Sequence, residues 1–390
     1  MQKRISALSV LHFVVDTYAL MIPALWLPVQ HKFGLTPSET GLVLGICTLT
    51  FNLMQPLWGI LSDRFDARWA ISGGPLIAVA GVGLAIISPI LPLTVLWFLI
   101  GGIGIGIFHP EAGVTATRLG RLGSSRTMGI FLVGGFLGQA FGPWWISIVL
   151  TNWTGAAMIG TMTMLPGIVL AIIGMAMFGR PLERDKHVHE EDRVLWRQAI
   201  AGRHRPIWTL LAVNVTRYFS LFIILFSVPM YLEKAGHGQM MVGQWIGIFL
   251  AAQGVGLLLG GVTAGLNQER STCIASTAAG LIPLILLPFL SGTAALVCMI
   301  AAGVIIAWAH AVVIQLGQGI LPHCQRWVTG ILIGFASGIV TLISPQLVGW
   351  LFENVSVQAP FVAAAVFGVA ALIATLLLPS QATLDALRDT

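Results

Sequence analysis

Twelve apolar stretches of membrane-spanning length follow one another along this chain, and they limit its possible folds more than any other feature. They cover residues 5–29, 40–61, 70–89, 92–117, 127–150, 156–178, 207–232, 241–265, 272–290, 293–320, 327–351 and 358–378. A helix needs about 20 apolar residues to cross a bilayer. The chain is 56% hydrophobic and 9% charged, whereas about 25% of a soluble domain is charged. No globule of 390 residues could enclose that much apolar surface. Lipid is the solvent that fits, and a backbone in lipid must satisfy its own polar groups, which selects helices. The expected fold is an all-α membrane protein of about 12 transmembrane helices.

The polar stretch 179–206 carries seven basic and five acidic residues and cannot sit in lipid. It reads as a solvated linker between an N-terminal six-helix bundle, 1–178, and a C-terminal one, 207–390. Lys and Arg are distributed unevenly about the spans. If the N-terminus is cytoplasmic, seventeen of the 20 fall in cytoplasmic segments, Lys32 and Lys234 lie outside, and Arg217 lies within a span. That bias predicts cytoplasmic termini. It also accounts for the net charge of +5 without a nucleic-acid partner. Lys3 and Arg4 precede an apolar run of span length, so no cleavable signal peptide is expected. At Thr36-Pro37-Ser38-Glu39 the pattern of N-cap, proline at N1 and glutamate at N3 marks the start of span 2.

The halves resemble each other. At one offset of 201 residues, Asp16 meets Arg217, Pro28 meets Pro229, Gly59 meets Gly260 and His109 meets His310. Rare membrane residues sharing an offset indicate the pseudo-symmetric repeat of a transporter, with its site where the repeats meet near mid-membrane.

A charge in mid-membrane costs at least about 2.5–3.5 kcal/mol, so each one present needs a reason. His12 and Asp16 in span 1 share a helix face at i,i+4. Span 4 carries His109-Pro110-Glu111, span 7 carries Asn214 and Arg217, and span 10 carries His310. Counted at 1.5 Å per residue, the ionisable groups lie about 10–15 Å from the cytoplasmic ends of their helices. Asp16 and Glu111 are the candidate proton carriers, assisted by His12 and His109. Arg217, His310 and Asn214 are candidate substrate contacts, with Asn52, Gln55 and Gln139 as further lining. Asp16 is expected to neutralise Arg217 and to compete with an anionic substrate for it. The four cysteines, Cys47, Cys273, Cys298 and Cys324, have no metal spacing and read as packing residues. No HExxH or Walker sequence occurs, so neither a metalloenzyme nor an ATP-driven pump is indicated, and no metal or cofactor is expected.

Two motifs carry a family resemblance. Between spans 2 and 3, Gly59-Ile60-Leu61-Ser62-Asp63-Arg64-Phe65-Asp66-Ala67-Arg68 resembles the loop motif of the major facilitator superfamily, with Asp66 in place of its second glycine. Gly59 would allow close helix approach, and Asp63, paired with Arg64 or Arg68, would form a cytoplasmic clasp that opens and closes. In span 5, Gly134-Gly135-Phe136-Leu137-Gly138-Gln139-Ala140-Phe141-Gly142-Pro143 resembles the glycine- and proline-rich element of drug–proton antiporters. Gly134, Gly138 and Gly142 would pack closely and Pro143 would bend the helix. The arginine those antiporters carry in span 4 is missing, with Trp97 near its place. Leu11-His12-Phe13-Val14-Val15-Asp16, Gln55-Pro56-Leu57-Trp58-Gly59, Phe108-His109-Pro110-Glu111 and Arg217-Tyr218-Phe219 are similar to segments of the fosmidomycin-resistance group of bacterial efflux proteins.

The resemblance implies that spans 1, 4, 7 and 10 line a central cavity. It also implies proton-driven antiport of a small drug or organic anion out of a bacterial cell, through the inner membrane, by a monomer with no enzymatic activity. The same residues would serve an importer of a small anionic metabolite.

Overall fold

In the computed structural model of the protein, residues 2–62, 69–119, 125–179, 202–263, 268–321, 328 and 330–388 are described. Asp63, Arg64 and Arg68 of the expected clasp, Cys324 and most of the 179–206 linker lie outside them. Gly59 falls within the third helix.

The order of elements is α1 (Gln2–Ala19), α2 (Trp26–Phe33), α3 (Pro37–Ser62), α4 (Ala70–Ile87), α5 (Leu91–Leu119), α6 (Ser125–Asn152), α7 (Ala156–Phe178), α8 (His204–Lys234), α9 (Gln239–Thr263), α10 (Glu269–Leu286), α11 (Gly292–Ile320), α12 (Ala336–Asn354), α13 (Ala359–Leu376) and α14 (Gln381–Arg388). Among the described residues eleven helical stretches are long and apolar enough to cross a membrane, the first being Gln2–Phe33. The 26-residue α3 is a further apolar helix. Ile172, Val255, Ile282, Val366 and Phe289 point outward, exposed, as lipid-facing side chains do.

Local departures from the expected spans trace to proline and glycine. Span 1 is interrupted by a 3₁₀ turn at Ile22–Leu25 with Pro23 in its first positions, because proline offers no N–H and crowds the preceding turn. Gly34, at φ 64°, closes α2 in the left-handed region. At the start of α3, Glu39 Oε2 accepts from the Thr36 N–H at 2.8 Å and Thr36 Oγ1 accepts from the Glu39 N–H at 3.2 Å, the capping box expected there. The α12 stretch opens with a π-helical segment, Gly330–Phe335. Span 9 ends in a 3₁₀ turn at Leu287–Phe289, which contains Pro288.

The chain divides into two compact units. Unit 1 comprises Met1–Leu182, Phe226–Ala251 and Thr341–Val357. Within it α1 packs along α6. A Cβ on Gly134, Gly138 or Gly142 would collide with the backbone at Ser9, Phe13 or Thr17, so both helices climb together, in parallel, one turn at a time. Unit 1 also seats α12 on α3. Gly41 lies against Pro345, Gly45 against Leu342 and Gly349 against Pro37, an antiparallel run of backbone contacts. Thr48 Oγ1 donates to the Thr341 carbonyl at 3.1 Å along the same seam.

Unit 2 comprises Glu183–Leu225, Ala252–Val340 and Gln358–Thr390. Its core gathers Leu210, Val213, Cys273, Val312, Leu316 and Leu332, among others. The sequence reading placed no helix after residue 378, yet α14 packs against α11 and is hydrogen-bonded to the start of α10. Gln381 Nε2 donates to Glu269 Oε2 at 2.9 Å, and Arg270 Nε donates to the Leu378 carbonyl at 3.2 Å. Cys47, Cys273 and Cys298 are buried free thiols.

Candidate functional site

Within unit 1, α1 carries a buried carboxylate to the point where α5 and α6 meet it. Asp16 is 3% exposed and His12, one turn below it, 5%. Three groups converge on the Asp16 carboxylate. His109 Nε2 lies 3.0 Å from Oδ1, His12 Nε2 lies 3.4 Å from Oδ2, and Gln139 Nε2 donates to Oδ2 at 2.9 Å.

The other nitrogen of each imidazole fixes its proton. His12 Nδ1 donates to the Phe131 carbonyl at 2.9 Å, and His109 Nδ1 donates to the Ile105 carbonyl at 2.8 Å. A carbonyl only accepts, so both Nδ1 atoms carry hydrogen. In a neutral ring Nε2 then presents a lone pair, and so does the carboxylate oxygen facing it. Two lone pairs at this separation repel unless a proton lies between them. The geometry leaves a place for a proton between each imidazole Nε2 and the Asp16 carboxylate.

Packing holds the centre in place. The His12 ring stacks on Phe131 at 4.1 Å and meets the His109 ring edge-on at 5.2 Å. A Cβ on Gly135 would stand 2.5 Å from His12 Cε1 and 2.8 Å from Asp16 Oδ2, so the absent side chain leaves room for the cluster. One donor atom from each of His12, Asp16 and His109 lies within 4.8 Å of the other two, a set one cation could touch. Gln139 turns its amide N–H toward the same carboxylate and so adds a hydrogen-bond donor, not a ligand atom.

The repeat-related positions come together in unit 2. Arg217, 3% exposed, donates through Nη2 to the Ile306 carbonyl of α11, one turn before His310. His310 Nε2 lies 3.0 Å from the Tyr218 hydroxyl. The Arg217 Nε and Nη1 groups, both buried, have no hydrogen-bond partner among the described residues. Asp16 thus takes its partners from unit 1 and Arg217 takes its own from unit 2.

The other lining candidates have specific roles. Asn214 donates to the Leu332 carbonyl. Asn52 donates to Thr341 Oγ1 at 3.0 Å, joining α3 to α12, and Gln55 Nε2 donates back to its own helix at the Phe51 carbonyl, 3.1 Å away. Glu111 is half-buried on α5, and its carboxylate is not one of the three clustered donor atoms. Gly134, Gly138 and Gly142 lie against the backbone at Ser9, Phe13 and Thr17, and Pro143 lies inside α6. The sequence reading missed the Phe131 and Ile105 carbonyls that orient the histidines, and the Tyr218 hydroxyl. Tyr218 follows Arg217 directly, which was the available signal.

A family model of the Major Facilitator Superfamily matches residues 7–345. The chain belongs to that superfamily. As a superfamily member it is a multi-pass membrane transporter, consistent with its helices. It is 24% identical over 366 residues to the fosmidomycin resistance protein of Escherichia coli (strain K12), covering 91% of this chain and 87% of that protein. It is 25% identical over 341 residues to a gentisate transporter of Corynebacterium glutamicum, covering 82% of this chain and 74% of the other. Among solved structures, a bacterial homolog of the human lysosomal transporter Spinster, inward-facing and unoccupied, aligns with a TM-score of 0.76 at 14% identity, covering 99% of this chain and 96% of that one. That likeness is one of fold.

Proposed function

We propose that this transporter is a proton-coupled exporter of a small drug or organic anion, working by alternating access in a bacterial inner membrane with both termini cytoplasmic. The observation that supports it most is the Asp16 centre: one carboxylate, faced by two imidazoles whose Nδ1 hydrogens are already committed. Such a set accepts and releases a proton with small atomic movements.

The proton changes what Asp16 does mechanically. With a proton shared between His109 and Asp16, the bond ties α5 to α1. With the proton gone, the two facing lone pairs repel and the tie between the helices is lost. Proton occupancy is thereby linked to helix packing, which is what an alternating-access cycle requires. Glu111 is a second candidate carrier, two residues beyond His109 on the same helix. Competition of Asp16 with substrate for Arg217 is not part of this proposal, because the Asp16 carboxylate is already met by His109, His12 and Gln139. Export is favoured over import by the similarity to a fosmidomycin resistance protein along most of the chain.

The test is a growth screen in a drug-sensitised bacterial host, comparing the intact chain with Asp16→Asn across candidate compounds. An exporter raises tolerance to its substrate and Asp16→Asn abolishes that gain. Sensitisation by the intact chain would establish import instead.

A further inference from the structure

Arg217 is the anomaly of unit 2. A guanidinium cannot shed its charge to escape burial. This one is 3% exposed, yet among the described residues its one hydrogen-bond acceptor is the backbone carbonyl of Ile306. Among the described residues its buried Nε and Nη1 groups have no hydrogen-bond partner and no carboxylate forms an ion pair with it. A buried donor left unmade costs about 1–3 kcal/mol, more when charged. An unsatisfied buried group calls for an explanation, and a ligand that meets it in the working cycle supplies one.

The neighbours define the ligand. Tyr218 and His310 stand on the same two helices, α8 and α11, joined at 3.0 Å. Between them they carry donors as well as an aromatic face. At the equivalent positions of the first repeat, Asp16 and His109 form the proton centre. The second repeat has exchanged the carboxylate for a guanidinium and so exchanged the proton for an anion.

We infer that Arg217, with Tyr218 and His310, is the anion-binding site of the transporter, and that its substrates carry an oxyanion, a carboxylate or phosphonate, that satisfies the guanidinium fork. This deepens the transporter reading above and rests on it, but not on proton coupling, because equilibrium binding needs no gradient. A carboxylate matches the guanidinium in charge and in planar, two-point geometry.

The experiment uses the full-length protein in lipid nanodiscs, titrated with benzoate, phenylphosphonate, neutral benzamide and chloride, and read by calorimetry and thermal shift. Benzoate or phenylphosphonate should bind and stabilise, and benzamide should not. Arg217→Gln should weaken binding by about tenfold or more, and Arg217→Lys should weaken it less. Asp16→Asn should still bind, which separates this site from the proton centre. Ligand-free Arg217→Gln should be at least as thermostable as the natural protein, since the variant loses an unpaired buried charge. The inference is overturned if Arg217→Gln binds the oxyanions unchanged, if benzamide binds as well as benzoate, or if chloride alone or none of the four binds. It is equally overturned if ligand-free Arg217→Gln is markedly destabilised, which would make Arg217 a structural residue.

Discussion

His109 Nε2 lies 3.0 Å from Asp16 Oδ1, while Nδ1 of the same ring is bonded to the Ile105 carbonyl at 2.8 Å. The two residues stand 93 positions apart on different helices. The ring cannot turn away without breaking its backbone bond, and it cannot face an ionised Asp16 comfortably without a proton. The Asp16–His109 contact therefore depends on where a single proton resides.

His109→Gln removes that titrating partner while leaving an amide that can still donate to Asp16. Gradient-driven transport should fall by about tenfold or more, since a glutamine cannot relay a proton. His310→Gln should leave the pH dependence of transport in place, because His310 faces Tyr218 and not Asp16. The check is the pH–rate profile of each variant in proteoliposomes. Equal pH profiles for both variants would remove His109 from the proton path.

The glycines of α6 separate scaffold from site. Gly138→Leu would drive a side chain into the Phe13 backbone, so it should prevent stable assembly. Gly135→Ala places one methyl against His12 and Asp16, an overpacking cost of about 1–3 kcal/mol. It should leave a folded protein with impaired proton coupling. Thermal unfolding in detergent, measured beside transport, distinguishes the two outcomes.

Not every ion pair should matter. His31 Nε2 and Glu233 Oε1 lie 2.9 Å apart, but their side chains are 62% and 38% exposed. Glu233→Gln should therefore change stability by less than about 1 kcal/mol and leave transport intact. A large loss of melting temperature would show this contact to be a genuine latch.

The loop motif and the topology make a joint prediction from sequence. Asp63→Asn should slow transport while sparing substrate binding, measured on the same preparation. A cysteine placed by Lys186→Cys should react with a membrane-impermeant maleimide in everted vesicles and not in intact cells.

Much of the fold was legible because lipid imposes a simple rule: long apolar helices joined by polar turns. The Thr36–Glu39 capping box was legible as a short-range signal, and the four-residue spacing of Gly134, Gly138 and Gly142 as a periodic one. His12 and Asp16 could be placed on one face by spacing alone. The pairing of Asp16 with His109 and Gln139 could not, because it depends on how α1, α5 and α6 are brought together. The bonds of Asn52 to Thr341 Oγ1 and of Gln55 to the Phe51 carbonyl were not legible either. An amide in an apolar helix takes whichever acceptor lies nearest, and sequence does not show which that is. Helix α14 was missed because its eight residues are too short and polar for a hydropathy signal. Its start is nonetheless marked by Ser380, whose Oγ accepts from the Thr383 N–H at 3.3 Å.

The central claim, that Asp16 carries the coupled proton, is tested most directly in proteoliposomes containing the intact protein or Asp16→Asn. Each is loaded with a substrate found in the growth screen and assayed for uphill movement driven by a pH gradient and for gradient-free exchange. The account predicts that the intact protein does both, and that Asp16→Asn loses gradient-driven movement while retaining exchange. Uphill movement at the intact rate in Asp16→Asn would contradict it.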